Sequence, residues 1–520
     1  MHQKKALIQR LMGVHSLVGV GITLFMYVAV FFGIFAILLP FIQVWEKPSR
    51  HFAMPSNLQD VNYGAMIDSV LLDPTYPQIN GIKIFLPGAM LDPALRISTQ
   101  FVPTKVFNPN TLQEVQNEAE SSQLASFLNG MHYGRPFKLF GFILFGLVAV
   151  AAMFLIVSGL WLVQKVHYSN SSKTLFAFYL KGHRKIFTWL FVPFIIITLT
   201  GALMNIGYSA SSPMSYLVSK GETSETWKLV GPVLFPTQKR IQKAHEPAPM
   251  LSINALLSQA RVHMPEVNVH TLTLFNWGDK SAYVKVEGYN PTMPFLNGIS
   301  NLPSVTLSGV DATLIAQHEV LDKHWSGLFY DAIFFLHFLF GVDGLTRFVM
   351  VIIMLLSLVA LGCGMLFYLE KQSKSFESEI PYHWLGRLSL SVMVGVIPAV
   401  ALLFFLQWLF PFEMEGRFFW QKSAFSLFWI ATLTWSFYRL ESYRVAKEFL
   451  MLGGVLFFLT PLVHMYNSGF SPSQLWNERM FLILGVDGVL ALLGVLLLGV
   501  ARALPQNKEA MHFLLKRIFK

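Results

Sequence analysis

Eight apolar runs divide this sequence, and each can be read as one crossing of a hydrocarbon core about 30 Å thick. Apolar side chains make up 54% of the 520 residues and charged ones only 13%. The pattern predicts a polytopic α-helical membrane protein with about eight transmembrane helices. In chain order the runs are Val18–Gln43, Phe137–Val163, Ile186–Ile206, Arg347–Tyr368, Leu388–Phe410, Ser423–Tyr438, Phe449–His464 and Phe481–Val500.

The first run follows Lys4, Lys5 and Arg10, as the core of a signal peptide would. It is too long for that role, and it leads into "PFIQVWEKPS", which lacks a small-residue cleavage site. We therefore expect a retained membrane anchor.

Basic residues in the short connections predict the orientation in the membrane. Two segments are rich in Lys and Arg: the connection between the second and third runs, and the carboxyl-terminal tail. Both termini are therefore expected in the cytoplasm, with the two long polar segments on the outer side. This bias accounts for most of the net charge of +10, so we expect a lipid bilayer and no nucleic acid as the charged partner.

The two long polar segments are the candidates for soluble domains. Ser252 is a candidate cap for a helix, and the runs "HTLTLF" and "SAYVKVEG" alternate as strands do. Both segments also end in a strand, turn and strand pattern, "TKVFNPNTLQEV" and "PSVTLSGVDATLIA". We expect small α+β domains within this division: 1–45 first helix, 46–131 outer domain, 132–206 second and third helices, 207–324 outer domain, 325–371 fourth helix, 372–520 four further helices and tail.

An internal repeat relates the two halves of residues 1–371. In two places a histidine stands 18 residues before a glycine, and in two others a histidine stands 27 residues before a glycine. Each half is thus one helix out, an outer segment and one helix back, which makes the halves parallel repeats. The pairs are His15 with Gly33, His132 with Gly159, His183 with Gly201 and His337 with Gly364.

The repeat places His15 and His183 at one membrane depth, and His132 and His337 at another. Two facing imidazoles are the axial ligands that a six-coordinate haem iron requires. Zinc would need three or four ligands, and neither pair has a carboxylate or thiol at helical spacing. The spacing therefore favours two haem sites, while interfacial histidines remain the alternative.

Other polar residues keep the assignment open. His167 could replace His15 or His183 as a ligand, although an interfacial position is preferred for both His167 and His464. His324 lies 13 residues before His337 and so on another face if that segment is one helix. Arg135 could attract an anionic chelate or a haem propionate, or anchor to lipid headgroups.

Three segments resemble a known family, the PepSY-associated transmembrane proteins of bacterial inner membranes, which include siderophore-linked ferric reductases. "HRKIFTWLFVPFIIITLTGAL" is similar to that family's histidine-first helix, and residues 131–162 and 335–366 resemble its paired histidine-bearing helices. Ser252–Gly288 resembles a PepSY domain. The resemblance covers about Gln9–Lys371 and leaves out the last four runs.

The resemblance implies a four-helix core that binds b-type haem, two copies in all, through His15, His183, His132 and His337. It further implies electron transfer across the inner membrane to ferric iron, as a ferric siderophore, in the periplasm. We expect a cytoplasmic or quinol electron donor, because the sequence shows no flavin or nucleotide site.

Two other functions remain open. Asp487 in the eighth run and Pro398 and Pro461 in neighbouring runs could mark broken helices around a transport path, as in a siderophore or small-molecule permease. Alternatively, the outer domains could serve a non-enzymatic accessory protein that binds a periplasmic partner.

Overall fold

Helices make up most of the chain in the computed structural model, which describes residues 2–73, 76, 81–100, 102–115, 122–166, 174–209, 211–234, 240–297, 302–339, 342–376 and 380–518. The α-helices are α1 (His2–Ile37), α2 (Leu39–Trp45), α3 (Tyr63–Leu71), α4 (Leu124–His132), α5 (Lys138–Lys165), α6 (Leu175–Trp189), α7 (Phe191–Ser209), α8 (Ser211–Val218), α9 (Thr226–Leu234), α10 (Ile253–His263), α11 (Pro294–Asn297), α12 (Trp325–Phe338), α13 (Gly344–Phe376), α14 (Ile380–Leu390), α15 (Val396–Leu409), α16 (Arg417–Arg439), α17 (Ser442–Ser468), α18 (Pro472–Asn477), α19 (Phe481–Ala503) and α20 (Lys508–Ile518).

Six helical segments in the described ranges are long and apolar enough to cross a membrane, or seven if one bent pair counts as a single span. The predicted eight crossings are therefore not confirmed. The sixth predicted run lies in α16, which is helical but does not pass the same length and hydropathy test. The segments are Lys5–Ile37, Arg135–Lys165, Gly344–Ser373, Trp384–Leu409, Ser442–Ser468 and Phe481–Ala503, with Leu175–Trp189 and Phe191–Gly207 as the bent pair.

The third predicted run, Ile186–Ile206, is not one straight helix. It spans the end of α6 and most of α7, which meet at Leu190 with a bend of 76°. The helix of the first half that corresponds to it, α1, runs without such a break and ends at Ile37, before the predicted limit of Gln43. The repeat visible in the sequence is thus carried by two differently shaped helices.

Four long helical segments form a core with approximate two-fold symmetry. In the first half α1 packs against α5 and α4, and in the second half α13 packs against α6 while α12 packs against α7. The halves meet through α1 with α13 and through α5 with α7, which are equivalent contacts under the repeat. Each half therefore supplies the same kind of surface to the other.

The two long polar segments share one sheet, so they are not two separate domains. All eight strands are antiparallel, in the order β4-β3-β2-β1-β5-β6-β7-β8, and β1 of the first segment pairs with β5 of the second. The predicted strand pairs near the end of each segment are confirmed as β3 with β4 and β7 with β8. The strands are β1 (Ile82–Phe85), β2 (Leu95–Ser98), β3 (Lys105–Asn108), β4 (Gln113–Val115), β5 (Asn268–Phe275), β6 (Tyr283–Tyr289), β7 (Ser304–Ser308) and β8 (Leu314–His318).

One helix from each segment covers the same face of this sheet. The predicted cap is confirmed, because the Ser252 hydroxyl accepts the backbone N–H of Ala255 at the start of α10. Apolar side chains of α3, α10 and alternate strand positions form the core beneath the helices. The two helices are also joined by a hydrogen bond of 2.7 Å from Asn254 Nδ2 to Asn62 Oδ1.

The C-terminal helices α15, α16, α17 and α19 pack against the first half, and they share one apolar core with α1, α2 and α4. The segment Glu46–His51, which follows α2, runs through this junction, and its polar side chains are buried. Glu46 Oε2 accepts the backbone N–H of Ala125 at the start of α4, at 3.0 Å. The buried carboxyl group of Glu46 therefore holds the start of α4, the helix that ends at His132.

Burial raises the pKa of Glu46 to about 7, although Lys47 and two backbone N–H groups act in the opposite direction. A carboxyl group with a raised pKa stabilises the fold fully below its ordinary value of 4.5, and this contribution is lost as pH rises through 7. Compared with the wild type, Glu46→Gln is expected to be more stable at pH 8, by on the order of 1–3 kcal/mol, and no more stable at pH 5.

Thermal unfolding of the full chain in detergent, followed at both pH values, checks this expectation. Glu415→Gln is the matched control, because it makes the same change at an exposed position. An equal effect of Glu46→Gln at pH 5 and pH 8 would show that the carboxyl group does not titrate in this range.

Candidate functional site

The structure brings the four predicted histidines together in two pairs. His15 on α1 and His183 on α6 line one cavity of about 410 Å³, enclosed by α1, α5, α6 and α13. Its lining is mainly apolar, with Phe, Leu and Met side chains. A volume of this size lies within the usual range of small-molecule and cofactor sites.

The second pair lies at the sheet end of the helices. His132 ends α4 and His337 lies in the last turn of α12, and their ring centres are 5.8 Å apart with planes inclined by 32°. His132 contacts α1 at Ala29, which is 14 residues beyond His15. At a rise of about 1.5 Å per residue, the two pairs are separated by roughly 20 Å along α1.

Each of the four imidazoles has its Nδ1 atom in a hydrogen bond to a neighbouring helix. His132 Nδ1 lies 2.7 Å from the carbonyl oxygen of Ala29, and His183 Nδ1 lies 3.0 Å from that of Ala360. A carbonyl oxygen can only accept, so both rings carry their proton on Nδ1.

The other two imidazoles bond to hydroxyl groups. His15 Nδ1 lies 2.9 Å from Ser158 Oγ, and His337 Nδ1 lies 3.0 Å from Thr200 Oγ1. Both hydroxyl groups donate to carbonyl oxygens of their own helices, so they accept from the rings. All four Nε2 atoms are therefore the ones with a lone pair to offer a metal ion, and metal-ligating histidines are commonly held in this way.

Each imidazole packs against a glycine of its partner helix, and these are the four glycines of the repeat. A Cβ atom on Gly364 would lie 2.8 Å from Nδ1 of His183, and one on Gly33 would lie 3.1 Å from Nδ1 of His132. Gly159 and Gly201 face Cε1 of His15 and of His337 equally closely, at 3.2 and 3.1 Å. A larger residue at any of these positions would occupy the space of the ring.

The two histidine pairs fit a bis-histidine haem better than a zinc ion. The ring centres of His132 and His337 lie 5.8 Å apart, which would leave room for one iron ion between the two imidazoles. In the described residues, no group of three or more His, Cys, Asp or Glu side chains could hold a metal ion. Two ligands per site suit haem, which supplies four nitrogens itself.

The other residues singled out in the sequence lie elsewhere. Arg135 is exposed at the turn between α4 and α5, three residues after His132. His324 is exposed and caps α12, with Nδ1 2.8 Å from Ser326 Oγ, so it is not a partner of His337. His167 lies outside the described residues.

The expected interfacial position of His464 is wrong. Its side chain is fully buried, and its Nδ1 donates to Asp487 Oδ2 at 2.7 Å. The second carboxylate oxygen of Asp487 accepts from the Trp45 indole at 2.8 Å, so both of its oxygens are engaged within the protein. Only the presence of an aspartate within an apolar run signalled this contact in the sequence.

Sequence reasoning missed the groups that orient the histidines. Ser158 and Thr200 were not singled out, and the glycines were used only to measure the repeat. The signal was present in the recurring distances of 18 and 27 residues. Separations that recur within one chain mark residues with equivalent surroundings. Here each histidine and each glycine so marked contacts a partner on another helix.

Comparison with known proteins agrees with the fold. No curated protein matches this chain. A family model described as the PepSY-associated TM region matches residues 12–371, which is more than half of the chain and includes all four histidines. The match ends before α14, so the C-terminal helices lie outside it. This membrane protein therefore belongs to the PepSY-associated TM family.

Proposed function

We propose that this protein binds two b-type haems, one between His15 and His183 and one between His132 and His337, and carries electrons across a membrane to reduce ferric iron. The observation that supports it best is that all four imidazoles are held in the same way. Every Nδ1 atom is held by a neighbouring helix, and every ring packs on a glycine.

The residues around the first pair suit a porphyrin. Apolar side chains that include Phe187, Phe194 and Leu162 line the cavity and would exclude water from an iron between the two rings. Arg184 and Lys371 also line it, and their cations can meet the propionate groups of a b-type haem. When bound, haem supplies an iron that cycles between two oxidation states and so transfers single electrons.

The second pair lies where a large substrate could approach. The sheet lies at this end of the helices, and exposed Arg135 is close to His132 in the chain. We propose that an anionic ferric chelate, such as a ferric siderophore, accepts the electron there. Hard oxygen chelators hold Fe(III) more tightly than Fe(II), so reduction would release the iron.

The orientation belongs to the same proposal. With both termini in the cytoplasm of a bacterium, the sheet would lie in the periplasm and the first histidine pair near the inner surface. The electron donor would then be a cytoplasmic partner or a quinol.

The transport alternative is less well supported. Asp487, its main candidate residue, has both oxygens engaged by Trp45 and His464, which leaves little of the carboxylate to bind a substrate. An accessory protein that only binds a periplasmic partner would not need four imidazoles in matched orientation.

Rapid mixing of the reduced protein with a ferric chelate tests the proposal. The detergent-purified protein, reduced with dithionite and freed of excess reductant, is expected to show sharp low-spin haem bands. A ferric trihydroxamate siderophore should reoxidise it, and the gallium(III) complex should not, because gallium(III) has the same shape and charge but is not reduced. A colourless protein after expression with added haem would rule the proposal out.

A further inference from the structure

A second cluster of buried titratable side chains lies away from the four histidines. It joins the chain after α2 to the C-terminal helices: His51 comes from the former, and His464 and Asp487 come from α17 and α19. The indole rings of Trp45 and Trp408 enclose it. Ring centres lie 5.1 Å apart for His51 and His464, 4.3 Å for Trp408 and His464, and 5.3 Å for His51 and Trp408.

Neighbouring groups fix which nitrogen of each imidazole carries the proton. His51 Nε2 lies 3.3 Å from the carbonyl oxygen of Trp45, so it donates. His464 Nδ1 donates to Asp487 Oδ2 at 2.7 Å. The remaining nitrogens, Nδ1 of His51 and Nε2 of His464, therefore each present a lone pair.

Three atoms of this cluster are buried and have no hydrogen-bond partner within the described chain. They are His51 Nδ1, His464 Nε2 and Trp408 Nε1. Two are acceptors and one is a donor. Buried polar groups in native proteins are nearly always paired, so a bound molecule or ion is expected where three such atoms lie on adjoining rings.

The chemistry of the three atoms decides between a metal ion and water. A metal ion would use the two lone pairs, but it would leave the indole N–H without an acceptor. It would also lack a third protein ligand among the described residues. One water molecule accepts from Trp408 and donates to both histidines, which satisfies all three atoms.

We propose that one water molecule is bound between His51, His464 and Trp408, and that the Asp487–His464 pair behind it forms a buried proton-accepting site. A proton that arrives on the water passes to His464 Nε2, which leaves the water neutral, and the Asp487 carboxylate balances the charge of the imidazolium. This site does not depend on haem.

The surroundings determine which histidine takes the proton. Burial, together with the neighbouring His464, lowers the pKa of His51 to about 3, so His51 stays neutral near pH 7. Two titratable groups are described around His464: Asp487 from α19 and His51 from the segment after α2. The neighbours from α15 and α2, Trp408 and Trp45, do not titrate. His464 alone has a carboxylate beside it.

Tryptophan fluorescence of the full-length protein in detergent, titrated from pH 8 to pH 4.5, tests the proton site. An imidazolium 4.3 Å from the Trp408 ring is expected to quench it, so emission should fall reversibly as the pH is lowered. His464→Gln should abolish this fall, and Asp487→Asn should reduce it, because the imidazolium would lose the carboxylate that balances its charge. His245→Gln, at an exposed position, should leave it unchanged.

Two direct measurements test the occupant. An electron cryomicroscopy map of the full chain should show density for water within hydrogen-bonding distance of the three nitrogens, and elemental analysis should find no metal that His464→Gln removes. Empty density, such a metal, or an unchanged titration in His464→Gln would each overturn the proposal. Trp408→Phe keeps both histidines and should remove the fall in emission, so the test remains available if His464→Gln does not fold.

Discussion

Alanine at His183 is expected to remove about half of the low-spin haem absorption of the purified protein, and alanine at His337 the other half. Each substitution would remove one of the two proposed iron ligands from one site and leave the other site, roughly 20 Å away along α1, in place. His15→Ala should match the first result and His132→Ala the second, because each belongs to the same pair. Reduced-minus-oxidised spectra, with haem content measured on the same samples, check this.

His324→Ala is the matched control, since His324 lies on the same helical segment as His337 but is exposed and bonds only locally. It should keep the full spectrum. Should His183→Ala retain its bands while His167→Ala loses them, the ligand of the first site would be His167 instead. Retention of all bands in the double variant His183→Ala, His337→Ala would exclude both pairs as ligands.

Gly364→Ala is expected to weaken haem binding at the proposed first site strongly, although it adds a single methyl group. The new Cβ would lie 2.8 Å from Nδ1 of His183, where the ring now donates to Ala360, so the imidazole must move. A loss of orientation of this kind commonly weakens metal binding by about 10- to 100-fold. Haem content should fall toward one per chain, with the bands of the second site retained.

Gly362→Ala provides the control in the same helix, because a Cβ there would meet nothing within 4 Å. Alanine is a better helix former than glycine by about 1 kcal/mol, so both variants gain the same intrinsic propensity. A difference between them therefore reports on the histidine. Equal and full haem content in the two variants would show that the contact between Gly364 and His183 does not position a ligand.

Local patterns in the sequence predicted much of the fold. The Ser252 cap, the four strand runs named above and the helical length of most apolar runs depend on residues that are near one another in the chain. The histidine pairs were also placed together by the repeat, because equal spacings in parallel helices give equal depths. Their role as haem ligands stays a prediction.

Features that arise from tertiary packing could not be predicted. The bend at Leu190, the pairing of β1 with β5 and the burial of His464 each depend on elements far away in the chain. The Nδ1 partners show the same limit, since a backbone carbonyl such as that of Ala29 carries no distinctive side chain. Sequence spacing showed which helices face one another, but only the structure showed which atoms meet.

The pairing of β1 with β5 follows the symmetry that relates the two halves. These central strands are the corresponding first strands of the two halves, and they run antiparallel, with Ile84 opposite Leu272. The other contacts between the halves, α1 with α13 and α5 with α7, are equivalent as well. In a homodimer, a two-fold axis makes each subunit offer its partner the same surface. The first 371 residues thus have the form of a two-fold symmetric dimer joined into one chain.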